Sequence, residues 1–264
     1  MEQPLHLHRS ILCSTPTFEV KIAETLQEIE AALRLRFEVF NLEMKEGLQS
    51  SFETGFDSDV YDTFCDHLIV KEISSGAVVG TYRLLPQKKA DHHIGFYSEN
   101  EFDMTLFKSF PGQSLELGRS CVAKAYRSLA VINLLWTGIA RYLENHAITH
   151  LFGCASFHTS NVKEMAAAFA YLKLYHSAPN KYHVTPLPRC AMDLPFQFLT
   201  SNEIKESYKK FPPLIKGYLR LGAMICGEPA YDKEFGTVDF LIVLEKEQIT
   251  NKYKDHYISA SVAA

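Results

Sequence analysis

Residues 115–135 read LELGRSCVAKAYRSLAVINLL. Residues 115–122 are largely apolar, as in a strand, and a short polar run carrying Lys124 and Arg127 follows. From about Leu129 to His146, Ile132, Leu135, Trp136, Ile139 and Leu143 recur at helical spacing. His150 to Phe157 is a second apolar strand. A strand, a helix and a strand in this order imply a parallel pair joined by a right-handed crossover.

Working outward, His67 to Ile73 and Val78 to Pro86 flank Ser74-Ser75-Gly76 and read as a hairpin, which makes the sheet mixed. Phe18 to Ala23 reads as a strand. In the helix after it, Leu26, Ile29, Leu33, Phe37 and Phe40 are placed on one inward face. Residues 45–62 read as loop. Beyond residue 157, Asn161 N-caps a helix to Tyr175. Lys205 to Leu221 is helical, with Pro212-Pro213 starting or kinking a segment. Val238 to Leu244 is a buried closing strand. The expected fold class is α/β, a mixed central sheet flanked by helices, in one domain over 1–264 with 200–264 as an extension of it.

Bulk properties exclude several function classes. A net charge of −4 gives no reason to expect nucleic-acid binding. The six cysteines are scattered without a CxxC pair, so neither a disulfide framework nor a zinc site is expected, and a reducing cytoplasm fits. The histidine spacings give no metal motif, and no GxSxG elbow is present. No segment approaches the roughly 20 apolar residues of a membrane span, so any membrane contact is peripheral.

Three features carry possible chemistry. The strand-to-helix junction offers unpaired backbone N–H groups and a positive dipole end beside Arg127, which suits a phosphate; an arginine solvating a helix start explains it equally. Glu116 lies in an otherwise apolar strand, where a carboxylate is costly unless paired or working. By strand alternation it shares a face with Gly118, and Arg119 takes the other. Asp57, Asp59 and Asp62 cluster in one loop, either solvated or recognising a cation.

The chain resembles a known family in RLRFEVF (34–40), DSDVYDTFCDHLIV (57–70), VVGTYRLL (78–85), GFYSENEFD (95–103), LELGRSCV (115–122) and PPLIKGYLRLGAMICGEPAYDKEFGTVDFLIVL (212–244). It is similar to the ornithine-lipid-forming N-acyltransferases, a group also labelled hemolysins and related to the acyl-homoserine-lactone synthases. The resemblance implies the GNAT (acyl-CoA N-acyltransferase) fold. It implies transfer of a fatty acyl group, often 3-hydroxylated, from acyl carrier protein to the α-amine of ornithine, or of glycine or another amino acid. No cofactor is held permanently; the phosphopantetheine thioester of acyl carrier protein, or CoA, is the donor. A separate O-acyltransferase completes the lipid.

Residue by residue, Arg36, Phe40, Asp59, Asp62, Arg83, Glu116 and Arg119 fall on motif positions shared with the homoserine-lactone synthases. Glu116, Asp62 and Arg119 are the catalytic candidates, with Glu116 as general base. Arg36, Phe40, Asp59 and Arg83 are assigned to substrate binding. Cys121, Val122, Lys124, Arg127 and Ser128 are assigned to the donor. Residues 41–46, NLEMKE, lack the tryptophan of those synthases, which favours the lipid branch. The rival readings are a synthase of diffusible acyl signals, an acetyl-CoA-dependent transferase, and a non-catalytic carrier- or lipid-binding regulator.

Overall fold

The computed structural model describes residues 10–127, 129–159, 161–194, 200–247 and 249. Strands β1 (Ile11–Ser14) and β2 (Phe18–Ile22) precede helix α1 (Leu26–Arg36), which runs into a π-helix over Phe37–Met44. A one-turn helix α2 (Ser51–Thr54) and a 3₁₀ turn (Val60–Thr63) lead to β3 (Asp66–Glu72) and β4 (Val78–Pro86). Next come α3 (Gln87–His92), a 3₁₀ turn (Tyr97–Asn100), β5 (Phe102–Asp103), α4 (Thr105–Lys108) and β6 (Ser114–Val122). After a 3₁₀ turn (Lys124–Tyr126) come α5 (Leu129–Asn145), β7 (His150–Phe157) and α6 (Val162–Tyr175). The chain closes with β8 (Thr185–Pro186), α7 (Ser201–Lys209), α8 (Pro213–Leu221), β9 (Met224–Ile225), β10 (Ala230–Asp232) and β11 (Thr237–Glu245).

The chain divides into two compact units. The first comprises residues up to Leu84 together with Arg119–His146; the second comprises Leu85–Gly118 and the remainder.

In the first unit β1, β2, β3 and β4 form an antiparallel meander, and the C-terminal half of β6 lies beside β4. Helix α5 packs on it through Val131, Leu135, Trp136, Ile139, Tyr142 and Leu143. Gly138 lets this helix approach Val20 and Leu68 closely. The expected face of α5 shifts by one position: Ile132 is exposed and Val131 is buried in its place.

Helix α1 departs further from the sequence reading. Leu26 is 71% exposed, and the buried face is Ala32, Leu35, Arg36 and, beyond the helix, Val39. The reason is electrostatic: Arg36 is drawn fully inside by buried aspartates, and the face rotates with it. The π-helix ends at Lys45, whose backbone is left-handed (φ 61°). The Phe40 carbonyl accepts from Lys45 N–H, from Glu46 N–H at 2.9 Å and from Gly47 N–H at 3.2 Å.

In the second unit β6 pairs with β7 in parallel over Ser114–Glu116, as the crossover predicts. β7 pairs antiparallel with β11 along its length, and β10 and β9 add to the far edge of β11. The core on one face joins Ala155, Phe157, Phe240, Met165, Leu172 and Phe211. Residues 205–221 resolve into two helices broken before Pro213, and β11 is almost wholly buried as expected. A Cβ on Gly153 would lie 2.3 Å from the Leu117 carbonyl oxygen, a backbone atom. Gly153→Ala is therefore expected to destabilise by about 1–3 kcal/mol, the usual range for overpacking, as read by chemical denaturation.

Candidate active site

The loop 57–62 and three arginines form one ion cluster in the first unit. Arg36, with 0% exposure, donates through Nε (2.8 Å) and Nη2 (2.5 Å) to Asp57 Oδ1. Its Nη1 reaches Asp62 Oδ1 at 2.6 Å, and Nη2 reaches Asp62 Oδ2 at 3.1 Å. Arg83 Nη1 lies 2.7 Å from both oxygens of Asp59 and 3.4 Å from Asp62. Arg119 Nη2 reaches Asp59 at 3.1 Å, and its Nε lies 3.6 Å from Asp57. Asp59 also caps the following 3₁₀ turn, accepting from Tyr61 N–H, and Asp62 returns a bond to Asp59 N–H.

Three guanidinium groups thus meet three carboxylates, and arginine's fixed fork suits such pairing. Burial alone would raise the Asp62 carboxyl, yet Arg36 and then Arg83 hold it well below the ordinary carboxylate range. Asp59 is held down by Arg83 and Arg119 against the same burial. His67, whose Nε2 lies 3.2 Å from the Asp62 carbonyl, is pushed down by its own burial. Five predicted site residues, Arg36, Asp59, Asp62, Arg83 and Arg119, therefore converge on one cluster, together with Asp57.

Arg119 also breaks the expected alternation along β6. Its φ is 48°, a left-handed conformation uncommon outside glycine, so Glu116 and Arg119 cannot be assigned faces by counting.

The donor candidates lie in the same unit. Cys121 is buried with Leu35 and Val39, Phe40 packs against them, and burial pushes the Cys121 thiol up to about 12. The Val122 carbonyl accepts from Arg127 Nε at 3.1 Å. The other guanidinium nitrogens of Arg127 form a two-pronged pair with Glu43, at 2.5 and 2.7 Å. An incoming phosphate would compete with that carboxylate. Lys124 is exposed on its 3₁₀ turn. Ser128 lies outside the described residues.

Glu116 belongs to the second unit and is 5% exposed. Its Oε2 accepts from Tyr97 N–H at 2.8 Å; its Oε1 accepts from Ser98 N–H at 2.8 Å and from Ser98 Oγ at 2.5 Å. The carboxylate thus caps the 97–100 turn, resolving how a charge is tolerated in an apolar strand. Ser98 Oγ also lies 3.3 Å from Cys154 Sγ, which in turn lies 3.8 Å from Glu101 Oε2.

Glu101, Cys154 and Asp239 bring their ligand atoms within 4.8 Å of one another. Burial, then Asp239, Asp232 and Glu116, push the Glu101 carboxyl up to about 9. Sequence reading missed this group. The signal lay in Asp239, a carboxylate inside the apolar run TVDFLIVLE, which the argument applied to Glu116 would have singled out.

Residues 35–137 match the acetyltransferase (GNAT) domain family. An L-ornithine N(alpha)-acyltransferase from Brucella abortus is 39% identical over 259 residues, covering 94% of this chain and 91% of that protein. The chain belongs to the L-ornithine N(alpha)-acyltransferase family. A second member, from Agrobacterium fabrum, is 38% identical over 91% of this chain and 85% of its own. This N-acyltransferase also shares its fold with an N-acyl amino acid synthase from uncultured soil microbes, at a TM-score of 0.53 and 11% identity, over 90% of this chain and 95% of that one. The GNAT domain pattern includes Glu101, and the longer family match extends past residue 137 to take in Cys154 and Asp239 as well.

Proposed function

We propose that this N-acyltransferase moves a fatty acyl or 3-hydroxy fatty acyl group from acyl carrier protein to the α-amine of L-ornithine. The product is a lyso-amino-acid lipid, which an O-acyltransferase on a separate chain would consume. The observation that carries the reading is 39% identity, along 94% of the chain, to a protein named for ornithine acylation. The whole chain, 200–264 included, acts as one transferase.

In this mechanism Glu116 takes a proton from the acceptor ammonium, directly or through a water, and the freed amine attacks the thioester carbonyl. The tetrahedral oxyanion is stabilised by backbone N–H groups around Cys121 and Val122. The carrier thiol then leaves with a proton. Arg36 and Arg83, being buried, act as positioning residues that fix Asp59, Asp62 and Arg119 as the polar wall for the acceptor. Phe40 contributes to the apolar side of that wall. Arg127 and Ser128 hold the pantetheine phosphate, Arg127 exchanging Glu43 for it. The reaction belongs to the cytoplasm, with transient contact at the inner membrane surface. Among the described residues no helix is long and apolar enough to cross a membrane.

The test is transfer by purified protein from 3-hydroxyacyl carrier protein, read by product mass. A product of ornithine plus one acyl group is expected. Acylation of glycine instead, or a preference for acetyl-CoA, overturns the reading.

Acyl carrier protein is strongly acidic, so the exposed Lys124 is assigned to docking. Lys124→Glu is expected to raise the KM for the carrier roughly 2- to 10-fold at low salt, with the difference shrinking as salt screens it. Steady-state kinetics across an ionic-strength series checks this.

A further inference from the structure

We propose that Cys154 and Glu101 are positioning residues for Glu116: with Ser98 they form a directed series of hydrogen bonds whose spare proton rests on Glu101, which leaves Glu116 ionised and ready to act as the base.

The series lies wholly in the second unit. Strand β6 supplies Glu116, the 97–100 turn supplies Ser98, the residue after that turn is Glu101, and β7 supplies Cys154. Glu116 Oε1 accepts from Ser98 Oγ at 2.5 Å, Ser98 Oγ lies 3.3 Å from Cys154 Sγ, and Cys154 Sγ lies 3.8 Å from Glu101 Oε2. Each of these contacts needs one proton. A hydroxyl carries one and a thiol carries one, so Ser98 and Cys154 supply two between them. The thiol keeps its proton because burial pushes it well up. The third proton must come from one of the two carboxyl groups. With it on Glu101, every donor points toward Glu116; with it on Glu116, every donor points the other way.

The surroundings favour the first arrangement. Glu116 also accepts from Tyr97 N–H and Ser98 N–H at 2.8 Å each, and such donors stabilise the ionised form. Glu101 Oε1 is a buried oxygen with no hydrogen-bond partner, on a residue 4% exposed. An unsatisfied oxygen costs more in a charged group than in a neutral one. The groups facing Glu101 are Asp239 on β11, Asp232 on β10, Glu116 on β6 and Cys154 on β7. Cys190 and Arg189 approach from the segment that follows β8, and both bond to the Asn100 carbonyl. Burial and the three carboxylates push Glu101 up to about 9, so it holds its proton at neutral pH. The Glu101 hydroxyl then donates to the Cys154 sulfur, the thiol to Ser98 Oγ, and the Ser98 hydroxyl to Glu116.

This direction serves the reaction. Hydrogen bonds in series polarise one another, so the thiol makes Ser98 a stronger donor to the carboxylate. When Glu116 takes the proton of the acceptor, both carboxyl groups are neutral. Passing that proton to the leaving carrier thiol restores the carboxylate, and Glu101 keeps its own throughout. The inference rests on the reading of Glu116 as the base.

The test combines infrared spectroscopy with pH profiles of wild type, Cys154→Ala, Cys154→Ser and Glu101→Gln, each shown to fold by circular-dichroism melting. At neutral pH wild type is expected to show the carbonyl band of a neutral carboxylic acid that is missing from Glu101→Gln and fades as pH rises through about 9. Cys154→Ala removes the donor to Ser98. The acidic limb of its kcat/KM profile should move up by as much as about one pH unit, lowering activity on the acid side about 2- to 10-fold, the worth of one hydrogen bond. Cys154→Ser restores a group that both donates and accepts, and should return the limb toward wild type. Glu101→Gln removes no charge if the carboxyl is neutral, so its limb should stay in place.

Absence of the band, or a Glu101→Gln limb displaced to lower pH, would mean that Glu101 is charged and would overturn the series. A folded Cys154→Ala protein with the wild-type limb overturns it too. These outcomes leave Glu116 as the base. A folded Glu116→Gln protein with near-normal turnover overturns the base reading itself, and the positioning role with it.

Discussion

Glu116→Gln is expected to lower turnover about 10²- to 10⁴-fold at neutral pH, the usual worth of a positioned general base. The prediction must be separated from a structural effect, because the same carboxylate caps the 97–100 turn through Tyr97 N–H, Ser98 N–H and Ser98 Oγ. An amide keeps one acceptor oxygen but sets an NH₂ group against one of those donors, so some loss of stability is expected as well. Two readouts distinguish the roles. Loss of the base removes the acidic limb of the kcat/KM profile, whereas a loosened turn lowers the melting temperature and leaves the limb in place. Glu116→Asp keeps the charge and should retain more activity than the amide. A folded Glu116→Gln protein with near-normal turnover would remove Glu116 from the chemistry and leave it as a cap.

Arg36→Met is expected to destabilise the protein by about 3–5 kcal/mol, because removing one partner strands buried charge. Arg36 supplies four hydrogen bonds to Asp57 and Asp62. Arg119, 3.6 Å from Asp57, compensates only in part. The sign of the pH dependence follows from Asp62. In the native protein its carboxyl is held below its unfolded value, so its contribution is present at neutral pH and is lost as pH falls through the folded value. In Arg36→Met the largest cause of that depression is gone, leaving Arg83 and the Asp59 N–H to hold the carboxyl down against burial. The deficit is then largest near neutrality and narrows on acidification, when the stranded carboxylate is protonated. Urea denaturation of both proteins between about pH 4 and pH 8 checks this.

The legible part of the molecule was the part whose residues are close in sequence. The β3–β4 hairpin, β7, α6 with its Asn161 cap and the parallel β6–β7 pair follow from local periodicity and turn residues. Strands β1, β9 and β10 did not, being short segments that exist through their neighbours. The inward face of α1 was misplaced because hydrophobicity was counted and Arg36 was not; its two aspartates, Asp57 and Asp62, outweigh Leu26. The arginine and aspartate candidates were readable as motif positions, but their mutual pairing required the loop 57–62 to fold back on α1. The Glu101–Cys154–Asp239 group draws on a turn, β7 and β11, so no spacing rule reaches it.

The π-helix at Phe37–Met44 has a consequence for how this segment tolerates length changes. A wider coil of this kind holds one more residue per turn than an α-helix, so it acts as an insertion stored without a loop. Deleting a single residue there would let the segment relax to ordinary helical winding. Residues beyond the wide turn would then keep their angular positions, because the deletion removes the residue that the turn accommodates. Glu43, now bound to Arg127, would keep its direction. In a regular helix such as α5 the same deletion would swing every later side chain by about 100° around the axis. A one-residue deletion should therefore be better tolerated in the π-helix than in the middle of α5.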